Sequence, residues 1–380
     1  MWQMVSEVRT TLGHQTLPSD VARSTTRTGN RRPHGALARM KRREAAKDLT
    51  ARILCAAGVP TLARRQMRGR LAILNFHGVE TKPLSPPCHY VIDTATLRRE
   101  LEFVRGHFQV LPLEEALERL RAGTLPDHAA ALTFDDGTRN LATHAAPALR
   151  DLGLPAAFFL ATGPMGTGEA LWPDRLWLAF ARAKVSEIDL TAIGHGTRSL
   201  RSAADRGAAC GAAVGHLKEL SDGQRMAQVE SIVATLGPEF DAYGGPFQML
   251  CWDEARALAS EGSVTLHPHT VTHPILSRCP DQKVEYEISE SCSTLDRETG
   301  HAPAIFAYPN GRRADFDERA KAALRRNGIR WALSTTRGLA HRDSDPLALP
   351  RIVIMGNFSH ARFKLHVSGT VPSRPLNPWR

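Results

Sequence analysis

The sequence has no CxxC pair: its six cysteines (Cys55, Cys88, Cys210, Cys251, Cys279 and Cys292) stand scattered along 380 residues. That spacing argues against a disulfide framework and fits reduced, mostly structural thiols in a reducing compartment. No apolar run approaches the roughly eighteen residues of a membrane span. No apolar segment follows the N-terminal charges as in a secretory signal. These absences point to the cytoplasm and leave export or peripheral membrane contact open. GxSxG and P-loop motifs are missing, and no internal repeat is present. A basic folded face is missing too. The net charge is +10, but residues 1–70 hold 15 Lys/Arg against 4 Asp/Glu, and the rest of the chain holds 34 against 35. Nucleic-acid binding needs basic residues spread over a folded surface, so no nucleic-acid partner is expected.

Residues 1–46 are rich in Arg, Thr, Ser and Gly without hydrophobic period. They read as a basic, disordered leader. Met40-Lys41-Arg42-Arg43 resembles an ordinary chain start, so residues 1–39 are expected to be dispensable. Residues 47–70 mix apolar positions with arginines as a basic amphipathic helical segment. It would either cap the folded body or lie on an anionic membrane surface. From Leu71 the chain alternates β-prone runs with amphipathic helices, the signature of an α/β fold with a parallel sheet. Strands are expected at 71–76, 129–134, 156–161, 263–266, 304–308, 331–335 and 350–355. Helices are expected at 96–106, 113–122, 140–152, 252–260, 282–299 and 316–327. Residues 181–245 break the rhythm and read as a helical insertion, with helices at 213–220 and 226–236. The folded body is expected to span 71–365 and a tail 366–380.

Each unusual polar cluster falls where an expected strand finishes: His77, Asp135/Asp136, His267/His269/His273 and Asn310. In α/β barrels the active site is built from loops at the C-terminal strand ends. One carboxylate with two imidazoles is the ligand set of a catalytic metal site that leaves a position open for water, and a neighbouring carboxylate can serve as base. Successive strand residues point to opposite faces, so Asp135 and Asp136 can share a site only where the strand turns, which Gly137 allows. His267 reads as a rim residue or a supporting donor. Trp172 reads either as a platform for a sugar ring or as a core tryptophan. Asp135-Asp136-Gly137-Thr138 does not fit the DxDGT phosphatase loop, whose nucleophile would fall on Phe134. His269–His273 does not fit HExxH, because Thr270 occupies the glutamate position.

The segments Thr133-Phe134-Asp135-Asp136-Gly137, His269-Thr270-Val271-Thr272-His273-Pro274 and Phe306-Ala307-Tyr308-Pro309-Asn310-Gly311 occur in an order that resembles the polysaccharide deacetylases of the NodB-homology type, carbohydrate esterase family 4. The resemblance covers about residues 71–355. It implies a distorted (β/α)7 barrel, here with a helical insertion, that removes acetyl groups from N-acetylated (or O-acetylated) amino-sugar polymers. It also implies that Asp136, His269 and His273 bind a divalent metal, usually zinc, with Asp135 as base. Asn310, Tyr308 and Trp172 would serve the oxyanion and the substrate. Two departures stand out. The family's late-strand acid histidine is not visible; instead Leu74-Asn75-Phe76-His77 resembles the opening motif of the permuted branch typified by poly-N-acetylglucosamine deacetylases, which gives His77 the acid's place. Ala307 stands where an arginine usually orients the base, and Arg351 is the candidate replacement. The expected partner is an N-acetylglucosamine-type glycan. A non-sugar amide or imide substrate, or a catalytically silent carbohydrate-binding module, are the alternatives.

Overall fold

Seven short, largely apolar runs form parallel strands: β1 (Arg70–Phe76), β2 (Ala129–Phe134), β3 (Ala156–Leu160), β4 (Val264–Pro268), β5 (Ile305–Ala307), β6 (Trp331–Arg337) and β7 (Leu349–Val353). The computed structural model describes residues 34–237 and 245–370, with side chains from Arg42 onward. β2 and β3 are buried along their whole length and β1 from Leu71 onward, as expected of parallel strands covered on both faces. Their order is β5-β6-β7-β1-β2-β3-β4, and each neighbouring pair is parallel. The fold is therefore a distorted (β/α)7 barrel. β4 and β5 flank its seam, which no ladder closes among the described residues. The ring Nδ1 of His269 instead crosses the seam to the Ala307 carbonyl at 2.7 Å.

Clustering of contacts divides the chain into a unit of residues 1–46 and a unit of residues 47–380. The expectation of an irregular segment up to residue 46 is corrected from residue 34 onward, because α1 spans His34–Ala56. Residues 36–46 are Ala, Leu, Arg, Met, Lys and Glu, all strong helix formers. The rest of the expected leader, residues 1–33, and the tail from residue 371 lie outside the described residues. In the second unit α1 is followed by α2 (Val59–Arg64). Ala51 is buried, Asp48 accepts a 2.8 Å bond from Ser359, and the Arg64 guanidinium sits 5.7 Å from the Phe103 ring centre. Leu49, Ile53, Leu54 and Leu62 remain exposed.

α3 (Thr94–His107) and α4 (Leu113–Ala122) follow. The buried side chains of α4, at Leu113, Ala116, Leu117 and Leu120, recur at helical spacing. The helix expected at 140–152 opens with one wide π-type turn at 141–145 and becomes α5 only at Ala146–Leu152. The insertion has its own core. α6 (Trp172–Ala181), α7 (Ala203–Leu217) and α8 (Asp222–Leu236) pack Leu176, Phe180, Val214, Leu217 and Val229 together. α7 begins at Ala203 rather than 213, because Ser202 caps it and accepts a 3.1 Å bond from the Asp205 amide. Residues 187–189 and 197–199 add a small antiparallel ribbon. α9 (Trp252–Ser260), α10 (Asp281–Thr299), α11 (Glu318–Arg326) and α12 (His360–Val367) complete the helices. α12 carries the fold past the expected boundary at 365. The six cysteines are free thiols. Among the described residues no helix is long and apolar enough to cross a membrane.

Candidate active site

The strand ends gather around a cleft of about 440 Å³ that His77, Asp135, Asp136, His269, His273 and Asn310 all line. β2 stops at Phe134, and the Asp135 amide still bonds the Phe76 carbonyl at 3.0 Å. Asp136 and Gly137 then adopt left-handed backbone, φ 79° and 82°. That turn is what lets consecutive carboxylates serve one cleft. A β-carbon on Gly137 would also lie 3.0 Å from a Leu160 methyl, so a larger residue would be crowded as well as strained there. Thr270, His273 and Asn310 also have positive φ. Among the described residues, four of the five non-glycine positions with this strained backbone thus lie in the three motif loops, a concentration typical of functional sites.

The two aspartates have separate partners. Asp135 is fully buried and receives both terminal nitrogens of Arg351, at 2.8 and 2.7 Å. Asn75 Nδ2 adds a 3.2 Å contact, and Arg351 also donates to the Ser334 carbonyl at 3.0 Å. Burial alone would raise the Asp135 carboxyl, but the Arg351 guanidinium, together with His269 and His77, outweighs it and holds the group below the ordinary carboxylate range. Asp136 Oδ1 lies 3.3 Å from His273 Nε2 and 3.6 Å from His269 Nε2. Burial opposes its ionisation as well, yet the His273 bond and the neighbouring imidazoles keep it well below the usual range.

These three donors lie within 4.8 Å of one another. Burial brings His269 down to about 4, so its ring is neutral. With Nδ1 donating to the Ala307 carbonyl, its Nε2 lone pair faces Asp136. A carboxylate and two imidazoles, buried and convergent, fit a divalent cation of the zinc type. Glu287 of α10 holds the histidine loop from behind. It accepts the Val271 and Thr272 amides at 2.8 Å each, and the Thr272 hydroxyl.

Sequence reasoning did not identify Glu287, Asn75, Lys218 or Asp174. Glu287 leaves a trace in the sequence as an acid one turn from Val284 and next to Ile288 on the helix's apolar stripe. Lys218 comes from the insertion, donates to Asn310 Oδ1 at 2.6 Å, and is brought down to about 7 by burial and by Arg312. Asp174 accepts from the Tyr90 hydroxyl at 2.8 Å. Its carboxyl is pushed well above the ordinary range, by burial first and then by Asp136.

Two expected substrate residues do not face the cleft. Trp172 is buried with its indole N–H on the His273 carbonyl at 3.1 Å and the Arg225 guanidinium over its ring. α6 starts there, with Pro173 pinning the first turn. Tyr308 is also buried, stacked on Phe316 at 3.8 Å and bonded to the Leu347 carbonyl at 2.9 Å. At the strand end its side chain points outward, into the core under α11. His267 stands apart from the three metal donors. It packs 5.2 Å from the Phe159 ring and contacts Thr265 Oγ1 at 2.9 Å, and burial brings it down to about 4.

The profile of the family described as polysaccharide deacetylase matches residues 122–209 and 216–332. No curated protein matches in sequence. Among solved structures, the Streptococcus pyogenes deacetylase PplD in complex with acetate superposes with a TM-score of 0.54. It is 17% identical, over 80% of this chain and 99% of its own. IcaB from Ammonifex degensii superposes with a TM-score of 0.50 at 16% identity, over 80% of this chain and 97% of its own. At such identities the likeness is one of fold. The family profile, however, spans more than half of the sequence and both the Asp-Asp and His-His loops, and the chain belongs to the polysaccharide deacetylase family.

Proposed function

We propose that this protein is a metal-dependent hydrolase that removes acetyl groups from an N-acetylated amino-sugar glycan. The observation that carries the reading is the division of labour between adjacent carboxylates. Asp136 converges with two imidazoles, while Asp135 is tied to Arg351 instead.

An acetamide is a weak electrophile with a poor leaving group. Asp136, His269 and His273 would hold a divalent cation, zinc by the chemistry of the donors; when bound it supplies a Lewis acid and a water acidified toward neutrality. Asp135 accepts the proton of the attacking water, kept ionised and oriented by Arg351. His77 delivers a proton to the departing amine. Its ring lines the same cleft, its field acts on both aspartates, and its buried Nδ1 has no hydrogen-bond partner. The Asn310 backbone N–H donates to the oxyanion. The reading as a silent binding module rested on the lack of a base-orienting arginine and of an acid histidine. Arg351 and His77, as they stand around the cleft, speak against it.

Acetate release from N-acetylglucosamine oligomers tests this function. The expected result is turnover that is abolished by Asp135→Asn and by chelation. Turnover insensitive to both would refute it.

A further inference from the structure

The cleft carries more positive charge than the reaction uses. Lys218, Arg312, Arg313 and Arg337 line it, against the acids Asp135, Asp136 and Asp174. Asp135 is neutralised by Arg351, which lies behind the lining, and Asp136 belongs to the metal donors. Asp315 balances Arg312 with a 3.1 Å contact. Arg337, at the C-terminal end of β6, has no such neighbour among the described residues. Its Nη2 is buried without a hydrogen-bond partner, and burial depresses the guanidinium. Beside it lies His366 of α12, whose ring lines the cleft and is brought down to about 3 by burial and by Arg337, so that it is neutral. Arg313 and Thr336, both exposed, line the same cleft. Leaving a guanidinium nitrogen unsatisfied at a cleft wall costs free energy that a bound acceptor would recover.

We propose that the Arg313–Arg337–His366 wall is an anion subsite, which receives a phosphate or carboxylate carried by the substrate beside its acetamido sugar. The preferred substrate is then an anionic N-acetylated glycan or sugar phosphate, and a neutral oligomer binds more weakly. This rests on the deacetylase reading for the identity of the reacting group, but the subsite's selectivity can be read without turnover. Arginine forks suit both anions, and a neutral imidazole can add one N–H.

The test is calorimetric binding to the full chain. The probes are N-acetylglucosamine 1-phosphate, a disaccharide of N-acetylglucosamine and glucuronic acid, and neutral N,N′-diacetylchitobiose. At least one anionic probe is expected to bind about tenfold or more tightly than the neutral one, and the probe that does so names phosphate or carboxylate as the source. Arg337→Gln and Arg313→Gln should each collapse that ratio, and Arg337→Lys should restore part of it. Arg313 is exposed, so its variant tests the subsite even where Arg337→Gln fails to fold. Equal affinities for the three probes, or a ratio unchanged in Arg313→Gln, overturn the proposal. Selective binding without acetate release from any probe would sink the deacetylase reading while leaving the subsite standing.

Discussion

Arg351 and Asp135, from β7 and from the end of β2, meet in a two-pronged ion pair at 2.8 and 2.7 Å with both side chains out of solvent. The arginine reaches the base from a strand, whereas Ala307 occupies the position of the family's usual arginine on the third loop. Removing the cation strands a buried charge, and breaking such a pair costs about 3–5 kcal/mol. Arg351→Gln is therefore expected to lower the melting temperature markedly. The sign with pH follows from the carboxyl held below its ordinary value. The wild-type pair contributes fully above the unfolded carboxylate pKa, and its contribution fades as pH falls through the folded value. The melting-temperature gap between variant and wild type should be smallest below about pH 4 and widen toward neutrality. A gap independent of pH would contradict the ion-pair account.

Metal binding should be measurable apart from catalysis. Each of Asp136→Asn, His269→Ala and His273→Ala is expected to lower the metal bound per chain, determined by elemental analysis after dialysis against zinc. A chelator should lower the melting temperature of the wild type, with zinc restoring it, as for any ligand that binds only the folded state. Unchanged metal content in all three variants would exclude this centre.

Glu287 touches none of the proposed reacting atoms, yet it accepts two amides and a hydroxyl from the loop between the histidines. Glu287→Gln turns charge-assisted bonds into neutral ones, and its amide nitrogen can no longer accept from the Thr272 hydroxyl, which must turn to accept instead. Zinc affinity, read by competition with a chromogenic chelator, should fall 10- to 100-fold, the range seen when groups behind metal ligands are altered. Full affinity would show that the loop holds its shape without the carboxylate.

Glu100 offers a stability test away from the site. It is fully buried in α3, neither carboxyl oxygen has a hydrogen-bond partner, and burial pushes it up to about 8. A raised folded value means that its stability contribution is complete below the unfolded pKa and is lost as pH rises through the folded one. Glu100→Gln should therefore match the wild type near pH 4 and gain on it up to pH 8. The gain should reach on the order of 1–3 kcal/mol, typical for an unsatisfied buried polar group. Thermal melts across that range decide it.

The barrel strands were legible because parallel strands buried on both faces must be apolar throughout, as in Ala129–Phe134 and Ala156–Leu160. The Asp-Asp-Gly and His-x-x-x-His segments stood out because polar groups at strand ends have few structural uses. What misled was burial. Tyr308 stood as a substrate residue from its place in the third motif, and Trp172 as either a sugar platform or a core tryptophan; an aromatic beside a loop can as well turn inward, and both are buried. The start of α7 at Ala203 was hidden because an Ala/Gly-rich stretch shows little periodicity, and the cap at Ser202 was the one local signal.

By itself the sequence determined the strand and helix rhythm, the family, and the residue types that can hold a metal, because these depend on local pattern and on short motifs. Only the tertiary structure decided that Arg351 pairs with Asp135 across more than two hundred residues, that Glu287 braces the histidine loop, and that Arg337 and His366 share one wall of the cleft. Such pairings arise where the barrel brings distant strand ends together, and chain separation leaves no periodic or compositional mark of them.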